Sequence, residues 1–92
     1  MAASYNFPNP KDPSDVADYT FDWSQALPST TIVSSNWIVI GVTNVSSSII
    51  GKNTIIRLSG GNPNTIASLT NTITDSSGQI FERSANLTIK NL

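Results

Sequence analysis

The sequence contains neither cysteine nor histidine, and it carries only five basic and six acidic residues among 92. The missing cysteine excludes a disulfide framework and a thiol nucleophile. The missing histidine removes the usual base that would activate any of the abundant serines. Charges are spread out and the net charge is −1, so no basic patch exists to neutralise a phosphate backbone, and nucleic acid is not an expected partner. Long hydrophobic runs are also lacking. The longest is Trp37-Ile38-Val39-Ile40, where a membrane-spanning helix needs about 20 apolar residues. Met1 to Pro10 has neither the basic nor the apolar region of a secretory signal. These absences predict a soluble protein made in a cytoplasm, with no membrane partner and no cofactor.

What is present is short, polar and β-prone. Ser, Thr and Asn supply 34 residues. Small polar side chains suit strand surfaces and turns better than they suit helices. Runs of β-branched and aromatic residues recur about every ten positions, separated by Gly, Asn, Ser and Pro clusters. No stretch shows a useful helical period. A chain this long forms one domain and buries only about 60–65% of the surface that it exposes when unfolded.

Residues 1–15, with Pro8, Pro10 and Pro13, read as an extended N-terminal arm. Tyr5 and Phe7 make it a candidate for ordering against a partner. Residues 16–92 read as the sandwich. Val16 to Trp23 alternates, with Ala17, Tyr19, Phe21 and Trp23 on one face and Asp18, Thr20 and Asp22 on the other. Thr31 to Ile40 is a second strand. Its end is apolar on both faces, so it is expected to be central or to present an interface. Val42 to Ile50, Thr54 to Leu58, Ile66 to Ile73 and Gln79 to Lys90 complete the set. Ile56 and Leu58 share one face, opposite Ile55 and Arg57. Ile80, Leu87 and Ile89 are expected in the core, together with Trp23 and Trp37. Ser59-Gly60-Gly61-Asn62-Pro63-Asn64 is the strongest loop, and Asp75-Ser76-Ser77-Gly78 is a hairpin turn. The pattern predicts an all-β, immunoglobulin-like antiparallel β-sandwich of about seven strands.

Candidate chemistry is sparse. Asp18 and Asp22 lie four apart on a strand, hence roughly 13 Å apart, wider than the separation that a carboxylate pair needs for glycoside hydrolysis. Asp12, Asp15 and Asp18 lack the dense spacing of a calcium loop. A Ser–Lys pair through Lys11, Lys52 or Lys90 has no local support. Ser59-Gly60-Gly61 could cradle an anion, but no helix follows to complete such a site. Asn44-Val45-Ser46 and Asn86-Leu87-Thr88 fit the glycosylation sequon, which without a secretory signal is composition only. Arg83 reads either as part of a solvated face or, more sharply, as a bridge between strands that pairs with Asp18 or Asp22. An enzyme is not expected.

Several short stretches then fall into an ordered set: Lys11-Asp12-Pro13, Asp18-Tyr19, Asp22-Trp23, Ser35-Asn36-Trp37, Leu58-Ser59-Gly60-Gly61, Thr70-Asn71-Thr72-Ile73-Thr74, Gly78 and Glu82-Arg83-Ser84. In this order they resemble the small immunoglobulin-like fiber-tail adaptor proteins of tailed bacteriophages, from Lys11 to Ile89. The resemblance implies a non-enzymatic virion protein that attaches fibers to the tail or its connector. Its partners would be other virion proteins, and it would stand in several symmetric copies in the tail of a particle assembled in the host cytoplasm. The residues expected to bind partners are Tyr5, Phe7 and Lys11 in the arm and Ser59, Gly60, Gly61 and Asn62 in the loop. A capsid decoration or cement protein is the structural alternative. A carbohydrate-binding module is another, and it would need an exposed tryptophan platform.

Overall fold

The computed structural model describes residues 5–92. The seven strands are β1 (Tyr5–Asn6), β2 (Ala17–Asp22), β3 (Ile32–Ile40), β4 (Thr43–Ile50), β5 (Asn53–Ser59), β6 (Thr65–Asp75) and β7 (Ile80–Ile89). They form a four-stranded sheet in the order β1-β7-β6-β3 and a three-stranded sheet in the order β2-β5-β4. All pairs are antiparallel except β1 with β7. The result is the all-β, immunoglobulin-like sandwich that the strand pattern predicts. The expected arm over residues 1–15 begins outside the described residues at Met1–Ser4. From Tyr5 it runs along the larger sheet to Lys11, bending at Pro8-Asn9, and then turns at Pro13-Ser14.

Alternation decides what is buried. β2 holds Ala17, Tyr19 and Phe21 inward and Asp18, Thr20 and Asp22 outward. On β5, Thr54, Ile56 and Leu58 are buried, while Arg57 is exposed. One apolar cluster gathers Ile56, Leu58, Ala67, Leu69, Leu87 and Ile89; a second gathers Trp23, Leu27 and Ile73. The aromatic rings run between them as a chain, with Phe21 5.1 Å from Trp37 and 6.5 Å from Trp23. Edge-to-face and offset contacts of this kind favour a specific packing of large rings.

A buried polar network crosses the gap between the sheets. The Trp23 indole N–H is shared between Thr54 Oγ1 at 3.0 Å and Asn71 Oδ1 at 3.1 Å. Thr54 Oγ1 donates to the same Asn71 oxygen at 2.6 Å. The Asn71 amide donates in turn to Ser35 Oγ at 2.9 Å and to the Asn36 carbonyl at 3.1 Å. Asn71 therefore spends both ends of its amide, and it ties β5 and the end of β2 to β6 and β3.

The structure corrects three expectations. β3 is an edge strand rather than a central one, and Ile38 and Ile40 on its outer face are 59% and 67% exposed. Ile80 is exposed because it shares the parity of the outward positions of β7: it pairs with outward Thr74, whereas Ala85, Leu87 and Ile89 point inward. Arg83 does not reach Asp18 or Asp22. The β2–β5 register instead sets Asp18 directly opposite Arg57, whose guanidinium donates to both carboxylate oxygens at 2.8 and 3.2 Å. Arg83 lies over the Trp23 ring, 5.1 Å from its centroid.

Asn71→Ala removes an acceptor shared by two buried donors: the Thr54 hydroxyl loses its partner, and the Trp23 indole keeps only Thr54 Oγ1. We expect a loss of about 3 kcal/mol in unfolding free energy, measured by denaturant titration. Asn71→Asp, which sets a buried carboxylate oxygen against the Asn36 carbonyl, should cost at least as much as the alanine variant at neutral pH and recover part of the loss as the pH is lowered.

Candidate functional site

The two groups of residues singled out in the sequence, the arm and the glycine loop, meet along β7. Tyr5 and Asn6 pair in parallel with Ala85 and Asn86. The Phe7 amide donates to the Asn86 carbonyl at 3.0 Å, and the Asn86 side-chain amide donates to Asn6 Oδ1 at 3.0 Å. The chain then bows outward through Pro8-Asn9-Pro10 and returns at Lys11, which bridges to Ile89. There the Lys11 amide donates to the Thr88 carbonyl and the Lys90 amide to the Lys11 carbonyl, both at 2.9 Å. Prolines suit the bow because they hold an extended backbone and need no donor partner.

Phe7 is half-buried and packs against the apolar core. Its ring lies 5.1 Å from Tyr19 and 6.1 Å from Phe21, so it plugs the seam between the sheets. Tyr5 leans its edge on Phe7 at 5.3 Å and is itself 51% exposed. Lys11 is the larger surprise: it is only 1% exposed. Its ammonium donates to the Gly60 carbonyl at 2.7 Å and to the Asp12 carbonyl at 2.9 Å. In this fold it cannot reach outward to a partner and serves as a clasp between arm and loop.

The loop completes the clasp. Gly61 has φ +106°, and a β-carbon there would stand 3.1 Å from three atoms of Ile89. Both facts demand glycine. The Asn64 amide donates to the Ile89 carbonyl at 2.8 Å, and Thr65 Oγ1 donates to the Asn62 carbonyl at 2.6 Å. Ser59, Gly60 and Gly61 are half-buried, and Asn62 is exposed. Asp12 organises the other side. Its carboxylate accepts the Leu92 amide and the Ser14 amide, each at 2.8 Å, and these bonds, led by that from Leu92, hold its pKa below the usual carboxylate value.

A second feature was not legible in the sequence. A cleft of about 430 Å³ opens beside Tyr5, lined by Phe21, Asp22, Trp23, Gln25 and Arg83 among others. It lies against Arg83 and Ser84 of β7, beside the start of the described chain at Tyr5. Trp23, at 2% exposure beneath Arg83, offers no stacking platform for a sugar.

The arrangement offers little to chemistry. Lys11 Nζ is held by backbone carbonyls, and Lys52 Nζ donates to the Leu27 carbonyl; neither addresses a serine. Among the described residues no cluster of carboxylates could hold a metal ion. What the site provides is a rigid end of the sandwich, built from residues 11–15, 59–64 and 89–92.

Two predictions test the clasp. Lys11→Met keeps the aliphatic stem but strips the donors from the Gly60 and Asp12 carbonyls, and should cost about 2 kcal/mol with faster amide exchange at Lys90 and Asn64. Acid should loosen the fold in a defined window. Asp12, Asp18, Asp22 and Asp75 all titrate below the ordinary aspartate value when folded. The unfolded chain therefore binds protons first. Stability is fully present above about pH 4 and is lost as pH falls through the lower folded values. Thermal melting followed by circular dichroism should show a flat midpoint from neutrality to that point and a decline below it.

The fold is shared with a PKD domain from the KIAA 1837 protein, solved in solution: the TM-score is 0.55 at 16% identity, over 99% of this chain and 89% of that one. No match was found among curated proteins. A family model, described as podophage GP4 fiber-tail adaptor protein gp77, matches residues 11–88 and so begins at the clasp lysine. The chain belongs to this family of phage fiber-tail adaptors.

Proposed function

We propose that this chain acts without catalysis as a structural component of the phage virion, fastening fibers to the tail or its connector. The observation that carries the reading is the family match over residues 11–88, which spans nearly all of the sandwich. The build of the molecule supports it. Function in a joint requires a stiff body with shaped ends, and the clasp locks the N-terminal segment, the loop after β5 and the end of β7 into one unit. Tyr5 and Asn62 are the exposed members of the two groups and form the contact points with tail or fiber proteins. Phe7, Lys11, Ser59, Gly60 and Gly61 act behind them by holding the surface in shape. Several copies stand in a symmetric arrangement around the tail.

The test is a particle assembled with Tyr5→Ala and Asn62→Arg together. Both positions are exposed, so the purified variant should melt as wild type does. Fiber occupancy, counted by cryo-electron microscopy, should drop by about tenfold or more if either residue anchors the contact. A full complement of fibers would remove these two residues from the joint. Copies of the chain spread over the shell, rather than gathered at the tail, would remove the adaptor reading itself.

A further inference from the structure

The edges of the two sheets are treated unequally. An exposed strand edge invites pairing with another chain, and proteins ordinarily blunt it with charge, proline or a covering segment. The β7 edge is covered in part by β1 and by the returning Lys11. The β2 edge carries Asp18 and Asp22. On the opposite side of the sandwich, β3 and β4 have no such protection. From Trp23 to Gly51 the chain contains no charged side chain, and neither strand contains proline. All eight residues of β4 are exposed, including Val45 at 52%, Ile49 at 38% and Ile50 at 63%. Each of the two strands carries one register irregularity, between Ile32 and Ser34 in β3 and between Asn44 and Ser46 in β4.

The sequence of β4 says what would cover this edge. Within β4, Val45-Ser46-Ser47-Ser48-Ile49 reads nearly the same in both directions about Ser47, and beyond it Asn44 would stand opposite Ile50. Laid antiparallel against itself, the strand sets Ser47 opposite Ser47, Ser46 opposite Ser48 and Val45 opposite Ile49. Serine pairs and β-branched pairs are favourable cross-strand neighbours. Neutrality matters here too: two identical strands meeting about a two-fold axis would place any charge near its own copy, and β4 has none. An edge shaped for a charged partner would carry the complementary charge.

We propose that β4 pairs with β4 of a second copy of this chain, antiparallel about a two-fold axis at Ser47. The two three-stranded sheets then merge into one continuous sheet in the order β2-β5-β4-β4-β5-β2. The interface is isologous, the commonest closed symmetry for identical subunits. A pair of this length makes about eight backbone hydrogen bonds, within the usual range of about 5–15 for a protein interface. The pairing belongs to the isolated chain and does not depend on the adaptor role.

The absence of native cysteine gives a clean test. Directly opposed residues in an antiparallel pair lie about 4.5–5.5 Å apart at Cα, within reach of a disulfide. Ser47→Cys should therefore cross-link to a covalent dimer under mild oxidation, much faster than Thr20→Cys on the charged β2 edge. Sedimentation should give twice the chain mass for wild type and the single mass for both Ser47→Lys and Ser47→Glu. These exposed changes leave the core intact, so near-ultraviolet circular dichroism should report a folded chain in both. Mixing the lysine and glutamate variants should restore a pair, seen by native mass spectrometry as the mixed species. A wild-type chain that sediments as a monomer at the highest concentration it tolerates would overturn the proposal. So would Ser47→Cys cross-linking no faster than Thr20→Cys, or a Ser47→Lys variant that stays dimeric.

Discussion

The Asn71 amide is the constraint on which the rest of the sandwich depends. A chain of this size has a thin core, and two sheets packed only through apolar faces could slide without a large change in contact. Asn71 prevents this by holding the Trp23 ring and Thr54 on one side and the Ser35 hydroxyl and Asn36 carbonyl on the other. Because these groups are buried, a shift in register would leave several of them unpaired at once, which costs far more than the bonds themselves contribute. Placing Trp23 also places what surrounds it: Phe21 against its edge, Leu27 and Ile73 beside it, and Arg83 over its face.

The clasp at Lys11 solves a different problem. Burying an ammonium without a carboxylate is costly unless its protons find other acceptors, and here the Gly60 and Asp12 carbonyls take that part. The glycines follow from it. Gly61 must pass close to Ile89 for the Gly60 carbonyl to point at Lys11. The two stretches that carry the family resemblance most visibly, Lys11-Asp12-Pro13 and Leu58-Ser59-Gly60-Gly61, are thus the two halves of one structural device.

Much of the architecture was legible in the sequence because strands announce themselves locally. Alternation placed Tyr19, Phe21, Ile56 and Leu58 correctly, and the turn at Gly78 followed from its residues. What could not be read was anything set by register between distant strands. Arg57 rather than Arg83 meets Asp18 because of how β2 aligns on β5. The role of Asn71 is invisible in a stretch of alternating Thr and Asn until Trp23 is brought to it. Lys11 was expected to bind a partner from the arm, and only its alignment alongside Ile89 of β7 shows that it is buried. Ile80 was misplaced by a single step of parity.

The parallel direction of β1 on β7 has a mechanical consequence. In parallel neighbours the start of one strand and the end of the other lie at opposite ends of their seam. Tension between Tyr5 and Ile89 therefore pulls along the strands, and the bonds from Phe7, Lys11 and Lys90 bear the load together. An antiparallel pair pulled from its open end would surrender its bonds one after another. The seam resists as a lap joint does, in shear, and a load carried from one chain end to the other meets that resistance before it reaches the core.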